Sequence, residues 1–241
     1  MPTFEDLRNI RLEKMAKLKK MGIAVYPARS IKDAPNGDIL TNFPAFEGKV
    51  LTLTGRLMSL REHGKVSFAD MQDASGTIQL FIKSDRLAQT NVEQQTIGFS
   101  DLSLLDVGDF VQATGEVTKT EAGEISLMVF SLTLLTKSLR PLPDKHEGLK
   151  DQEQIFRRRY LDLVMNPDRR ELFRRKAKFW AVTRKFLQDH GFMEVETPVL
   201  EHVTGGADAR PFISHMNALD QDFYLRISTE LYQKRLIGGG Y

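Results

Sequence analysis

Cysteine is absent, which removes disulfides, thiol catalysis and Cys-ligated zinc from consideration. That fits a reducing cytoplasm. No run approaches the roughly 18–20 consecutive apolar residues that a membrane-spanning helix needs. Residues 1–20 are charged throughout and hold no apolar signal-peptide core. Several motifs of nucleotide and hydrolytic chemistry are missing too: G-x-x-x-x-G-K-[ST], G-x-G-x-x-G and H-E-x-x-H, and the G-x-S-x-G nucleophile elbow. The histidines, at 63, 146, 190, 202 and 215, are too scattered for a His-based metal site.

Net charge is only +2 over 241 residues, but it is unevenly spread. Residues 1–20 carry six basic and three acidic side chains, residues 49–136 seven and eleven, and residues 151–185 eleven and five. A nucleic-acid partner is therefore compatible with the first and third segments, although solvated helix faces explain such runs equally well. The middle segment is net acidic, so any nucleic acid there has to be read by a local patch.

The pattern predicts a helix over residues 3–21, ended by Gly22, and a connector over 22–44 punctuated by Pro27, Pro35, Gly37 and Pro44. Residues 49–60 (KVLTLTGRLMSL) and 65–71 (KVSFADM) alternate apolar and polar side chains, as half-buried strands do, with 61–64 as the hairpin turn. Residues 77–83, 110–119 and 124–135 complete five strands, with a short helix somewhere in 84–106. That order suits an OB-fold, a small barrel whose face and loops bind oligonucleotides; another small barrel or sandwich without a ligand is the alternative. Residues 137–165 read as a linker stiffened by Pro141 and Pro143. Asn166 and Pro167 then open a helix reaching about His190, with two apolar stripes that need partners on more than one side. Strands are expected at 192–197, 209–214 and 223–227, and a helix at 229–237. The fold class is α+β, divided as 1–44, 45–137, 138–165 and 166–241.

The first hairpin is the best candidate site in the barrel. Arg61 and Lys65 flank the expected turn, Phe68 follows, and Gln79 stands on the next strand. An OB face binds single strands by stacking bases on aromatics while cations track the phosphates, and a glutamine amide can read a base edge. On the residues alone, a core position for Phe68 and an ordinary exposed strand position for Gln79 are favoured.

Several separate blocks resemble the lysyl-tRNA synthetase family, in order and at the family's spacing. Residues 55–81 (GRLMSLREHGKVSFADMQDASGTIQLF) are similar to its anticodon-binding domain, and residues 139–163 to its inter-domain segment. Residues 191–200 (GFMEVETPVL) look like motif 1 of class II synthetases. Residues 204–217 (TGGADARPFISHMN) and 225–235 (LRISTELYQKR) are similar to the strands of the amino-acid pocket.

The resemblance implies roles. Phe68 would stack on the central anticodon uridine, Gln79 and Arg61 would contact that base, and Glu124 would be a further anticodon-side residue. The helix from Asn166 and the strand to Pro198 would form a homodimer interface. Gly206 and Glu230 would hold the α-amino group of the substrate lysine; aspartyl- and asparaginyl-type relatives typically carry Gln where Glu230 stands. The implied reaction joins lysine to ATP with magnesium and passes the lysyl group to tRNA(Lys) in the cytoplasm. The groups that carry adenylation in this family lie on motifs 2 and 3, which are not among these residues, so the 241 residues alone are expected to be inactive. The competing reading is a non-catalytic tRNA-binding or regulatory module.

Overall fold

Thr3 and Asp6 open the first helix, α1 (Phe4–Lys20), as a capping box: the Thr3 hydroxyl accepts from the Asp6 N–H (3.2 Å) and the Asp6 carboxylate accepts from the Thr3 N–H (2.8 Å). A computed structural model describes residues 3–143, 149 and 151–241. Part of the expected linker, residues 144–148 and 150, lies outside the described residues. The chain divides into two units, Met1–Met165 and Asn166–Tyr241.

In the first unit the connector is more structured than the sequence pattern predicts. It holds two short helices, α2 (Asn36–Thr41) and α3 (Phe43–Phe46), because Ile39 is fully buried and anchors the turn. The barrel strands are β1 (Val50–His63), β2 (Val66–Gln72), β3 (Thr77–Lys83), β4 (Phe110–Lys119) and β5 (Ile125–Thr136). They close in the order β1-β2-β3-β5-β4, with β4 returning to β1. Closure leaves no free sheet edge, and the one parallel contact is β3 with β5. The expected short helix between β3 and β4 is a 3-10 turn at Phe99–Leu104.

The core is the inner face of those strands: Leu53, Leu57, Ala69, Met71, Ile78, Leu80, Val111, Leu127 and Val129 are all at most 1% exposed. Each alternates with a partly exposed neighbour, as the two-residue period of a strand dictates. A buried ionic cluster fastens α1 beneath the barrel. Lys137, whose side chain has no exposed surface, donates to Asp109 (2.7 Å), Asp106 (2.5 Å) and the Leu104 carbonyl (2.9 Å). Lys14 of α1 reaches the other oxygen of Asp106 (2.7 Å), and Arg11 donates to the carbonyls of Ser138, Arg140 and Val107. Burial pushes the Asp109 carboxyl up, and Lys137 only partly offsets it. Asp106 is also raised by burial, but its hydrogen bonds from Lys137 and Lys14 outweigh that and hold it below the ordinary value.

The expected linker is also partly helical, as α4 (Gln152–Arg157) and α5 (Arg159–Met165). Asp151 caps the first of these, accepting from the Gln154 N–H (3.1 Å).

The second unit opens with α6 (Pro167–Asp189), preceded by Asn166 at the cap position. Its small sheet is ordered β6-β8-β7, from β6 (Leu200–Glu201), β7 (Ile213–Met216) and β8 (Gln221–Leu225), and α7 (Glu230–Gly238) follows. The strand expected at 192–197 is not formed. That segment has no neighbouring strand among the described residues to complete its ladder, and Pro198 has no N–H to give. The next two strands sit away from their predicted positions, because the hairpin they form turns at residues 217–220. No residue of α6 is buried: Phe179, Trp180 and Phe186 are 62%, 56% and 58% exposed. Among the described residues of this unit only Glu201 and Phe223 are buried, so both stripes of α6 stand open.

Candidate nucleic-acid interface and amino-acid pocket

The β1–β2 hairpin is tighter than the sequence pattern predicts. β1 continues through Arg61, Glu62 and His63, and the turn is only Gly64-Lys65, closed by the His63–Val66 pair. Gly64 has φ 60, which the first position of a two-residue hairpin turn of this kind requires and a glycine adopts freely. Arg61 is therefore a strand residue, not a turn residue, and it pairs with Phe68 across the ladder.

That register fixes which side chains share the outer face. In β2, Ser67, Ala69 and Met71 point into the barrel, so Phe68 and Asp70 point out. In β3, Ile78, Leu80 and Ile82 point in, so Gln79, Phe81 and Lys83 point out. The core position favoured for Phe68 on the residues alone is thus incorrect: strand parity gives the inward places to smaller side chains. Phe68 and Phe81 are cross-strand partners, stacked with ring centroids 5.1 Å apart and planes within 6°. The Lys83 ammonium lies 5.0 Å from the Phe81 centroid.

A second cross-strand row runs Ser59, Asp70, Gln79, Ser126. Asp70 accepts from the Ser59 hydroxyl (2.5 Å) and faces the Arg61 guanidinium at 3.6 Å. The fully buried Ser126 donates its hydroxyl to Gln79 Oε1 (2.9 Å). Arg61, Phe68, Gln79 and Glu124 all line one open groove of about 800 Å³, together with Phe81 and Lys83. Glu124, expected to open the last strand, lies one residue ahead of β5, exposed in the turn from β4, where its carbonyl accepts from the Thr120 N–H (2.9 Å). Phe81, Lys83 and Ser126 escaped the sequence reading. The alternation of β3 carried the signal for the first two, since they share the parity of Gln79.

In the second unit, Gly206 and Glu230 are brought together although 24 positions separate them in sequence. Gly206 has φ 84, and a Cβ placed on it would stand 3.0 Å from Ser228 Oγ and 3.1 Å from Glu230 Cβ. Only a glycine leaves that backbone open. Ser228 Oγ accepts from the Glu230 N–H (3.1 Å), which seats Glu230 in the first turn of α7. The Glu230 carboxylate accepts from Lys234 one turn on (2.5 Å). Pro198 is exposed, and its carbonyl accepts from Arg226 (3.1 Å), as does that of Thr197 (2.7 Å). Among the described residues no group of three or more Asp, Glu or His side chains is arranged to hold a metal ion, and no helix is long and apolar enough to cross a membrane.

Residues 51–135 match the model of OB-fold nucleic acid binding domains, and residues 151–241 that of the class II tRNA synthetases (D, K and N). The chain is 48% identical over 236 residues to a lysine–tRNA ligase of Thermoanaerobacter, covering 98% of this chain and 46% of that protein. It is 46% identical to the enzyme of Syntrophomonas wolfei over 98% of this chain and 46% of the relative, and 45% identical to that of Pectobacterium carotovorum over 98% and 48%. The chain therefore spans about half the length of the curated relatives it matches. The barrel thus matches the OB-fold model and the segment after it the class II tRNA synthetase model of the D, K and N group, and the chain is similar throughout to the N-terminal part of lysine–tRNA ligases.

Proposed function

We propose that this chain supplies the anticodon-reading barrel and the opening of the lysine pocket of a lysine–tRNA ligase, which activates lysine with ATP and transfers it to tRNA(Lys) in the cytoplasm. The observation that carries the reading is the outward Phe68–Phe81 pair, flanked by Arg61 and Gln79 in one groove. An unstacked base laid on Phe68 gains about 1–3 kcal/mol from the aromatic face. Gln79 and Arg61 stand beside it for the base edge, Lys83 meets the phosphates, and Glu124 closes the far wall. The barrel is net acidic, so bulk attraction for nucleic acid is weak and the selectivity resides in this patch.

For lysine, Glu230 offers a carboxylate beside an open glycine backbone. An ammonium leaving water needs such a paired charge, and the α-amino group takes the place that the Lys234 ammonium now holds. The exposed stripes of α6 and the segment ending at Pro198 are covered by a second copy of the chain. ATP and Mg2+ are required by the reaction, but the described residues present no donor set for the ion, and no step here runs through either.

Binding of an anticodon stem-loop of tRNA(Lys) by the chain and by Phe68→Ala tests the reading. Stacking predicts a loss of about 1–3 kcal/mol with the barrel still folded. Equal binding by both proteins, or a loss of fold in the variant, contradicts it.

A further inference from the structure

The anticodon reading leaves open how the groove tells one pyrimidine from another. A glutamine amide can show a base either its N–H2 edge or its carbonyl, and rotation by half a turn exchanges them. What decides is the pair of groups on either side of Gln79, and the ladder places them. Ser126 is its parallel partner on β5 and Asp70 its antiparallel partner on β2.

The Ser126 hydroxyl, wholly buried, donates to Gln79 Oε1 at 2.9 Å. The same hydroxyl lies 3.3 Å from the Glu124 carbonyl, a longer contact that competes poorly. On the other side Asp70 is an acceptor only, fixed by Ser59 and Arg61. Turned over, the amide would donate to Ser126 and force that hydroxyl from its 2.9 Å bond onto the longer Glu124 contact, while its oxygen faced the Asp70 side of the row. Both neighbours therefore favour one orientation, and in it Gln79 Nε2 has no partner among the described residues. An amide N–H2 without a partner, beside an aromatic platform, is a donor awaiting an acceptor.

Resting on the anticodon reading, we propose that Ser126, with Asp70, is a positioning residue that locks the Gln79 amide with its donor edge toward the groove, so that the site selects a pyrimidine presenting a carbonyl (uracil) over one presenting an amino group (cytosine). The uracil O4 accepts from Nε2, whereas the cytosine amino group meets a second donor. Discrimination comes from the mismatch as well as from the match.

The test uses the chain as it stands and two anticodon stem-loops identical except for U or C at the central anticodon position. Fluorescence anisotropy gives both dissociation constants. One lost hydrogen bond against an unpaired donor predicts roughly tenfold preference for U in the unaltered chain. In Ser126→Ala the amide turns freely, and the U/C ratio falls toward unity, mainly because C binding improves. A merely structural role would weaken both loops alike and leave the ratio unchanged. In Gln79→Glu an acceptor replaces the N–H2 at this one position of the groove, and the preference turns to C. A Ser126→Ala chain that keeps the full ratio overturns the proposal, as does a Gln79→Glu chain that still prefers U. An unaltered chain that binds neither loop, or both equally, overturns the anticodon reading and this inference with it.

Discussion

Replacing Lys137 by Met probes the ionic cluster that joins α1 to the barrel. The ammonium has no exposed surface and touches two carboxylates and a carbonyl, and Asp109 is likewise fully buried. Methionine fills similar space but leaves Asp109 with only the N–H groups of Asp106 (2.8 Å) and Ser138 (2.7 Å). Asp106 retains Lys14. Breaking one partner of a buried pair costs about 3–5 kcal/mol, because a charge is left uncompensated. Against a total of about 5–15 kcal/mol for a domain, that is a large fraction. Because the chain has two units, one global transition is not assured. Hydrogen exchange of the β4 and β5 amides, read by mass spectrometry, reports the barrel alone. The sign of the pH dependence follows from Asp109. Its folded value is already raised by burial, and losing Lys137 raises it further. A carboxyl raised on folding binds its proton more readily in the native state, so the deficit of Lys137→Met shrinks as pH falls through that raised value and is largest above it. Adding Asp109→Asn should recover part of the loss, since the buried charge goes with it. A deficit under about 1 kcal/mol, the range of an exposed pair, or one that grows with acid, would refute the reasoning.

Two further outcomes follow from the fold and the pocket. Asp73 is raised by burial, but the Asn36 N–H, the Lys32 ammonium, the Ser75 hydroxyl and the Gly76 N–H hold it well below its ordinary value of 3.8. A depressed carboxyl stabilises the fold above its unfolded value and loses that contribution as pH falls below it. Between pH 5 and pH 2, barrel-amide exchange should therefore show the unaltered chain losing more stability than Asp73→Asn, and equal acid sensitivity would contradict this. Separately, the 241 residues alone should give no lysine-dependent ATP–pyrophosphate exchange, and measurable turnover would contradict the proposed division of labour.

Much of the barrel was legible because each strand buries one face, which imposes the two-residue period. The hairpin end was not. Arg61, Glu62 and His63 protrude past the core, where no face is buried and the alternation lapses, so polar strand residues read as a turn. The side chosen by Phe68 was recoverable, since Asp70 and Gln72 share its parity and could not both be buried. An aromatic in an apolar strand nevertheless weighs toward the core when residues are judged singly. Lys137 was invisible for the opposite reason: a lysine at a strand end reads as solvated, and only the fold reveals three acceptors around it. The pairing of β3 with β5, and hence Gln79 with Ser126, depends on barrel closure that no local pattern encodes. In the second unit the pattern of residues 192–197 is that of a strand, but a ladder needs a neighbour, and none stands beside it among the described residues. The meeting of Gly206 with Glu230 came through the family resemblance alone.

The central claim is that an unpaired anticodon base lies on Phe68 beside Gln79. A tRNA(Lys) anticodon stem-loop carrying 4-thiouridine at the central anticodon position, irradiated in complex with the chain, tests it most directly. The account predicts a cross-link within residues 66–83, on β2 or β3, suppressed by unmodified stem-loop in excess. A cross-link confined to α1 or α6, or insensitive to that competitor, would contradict it.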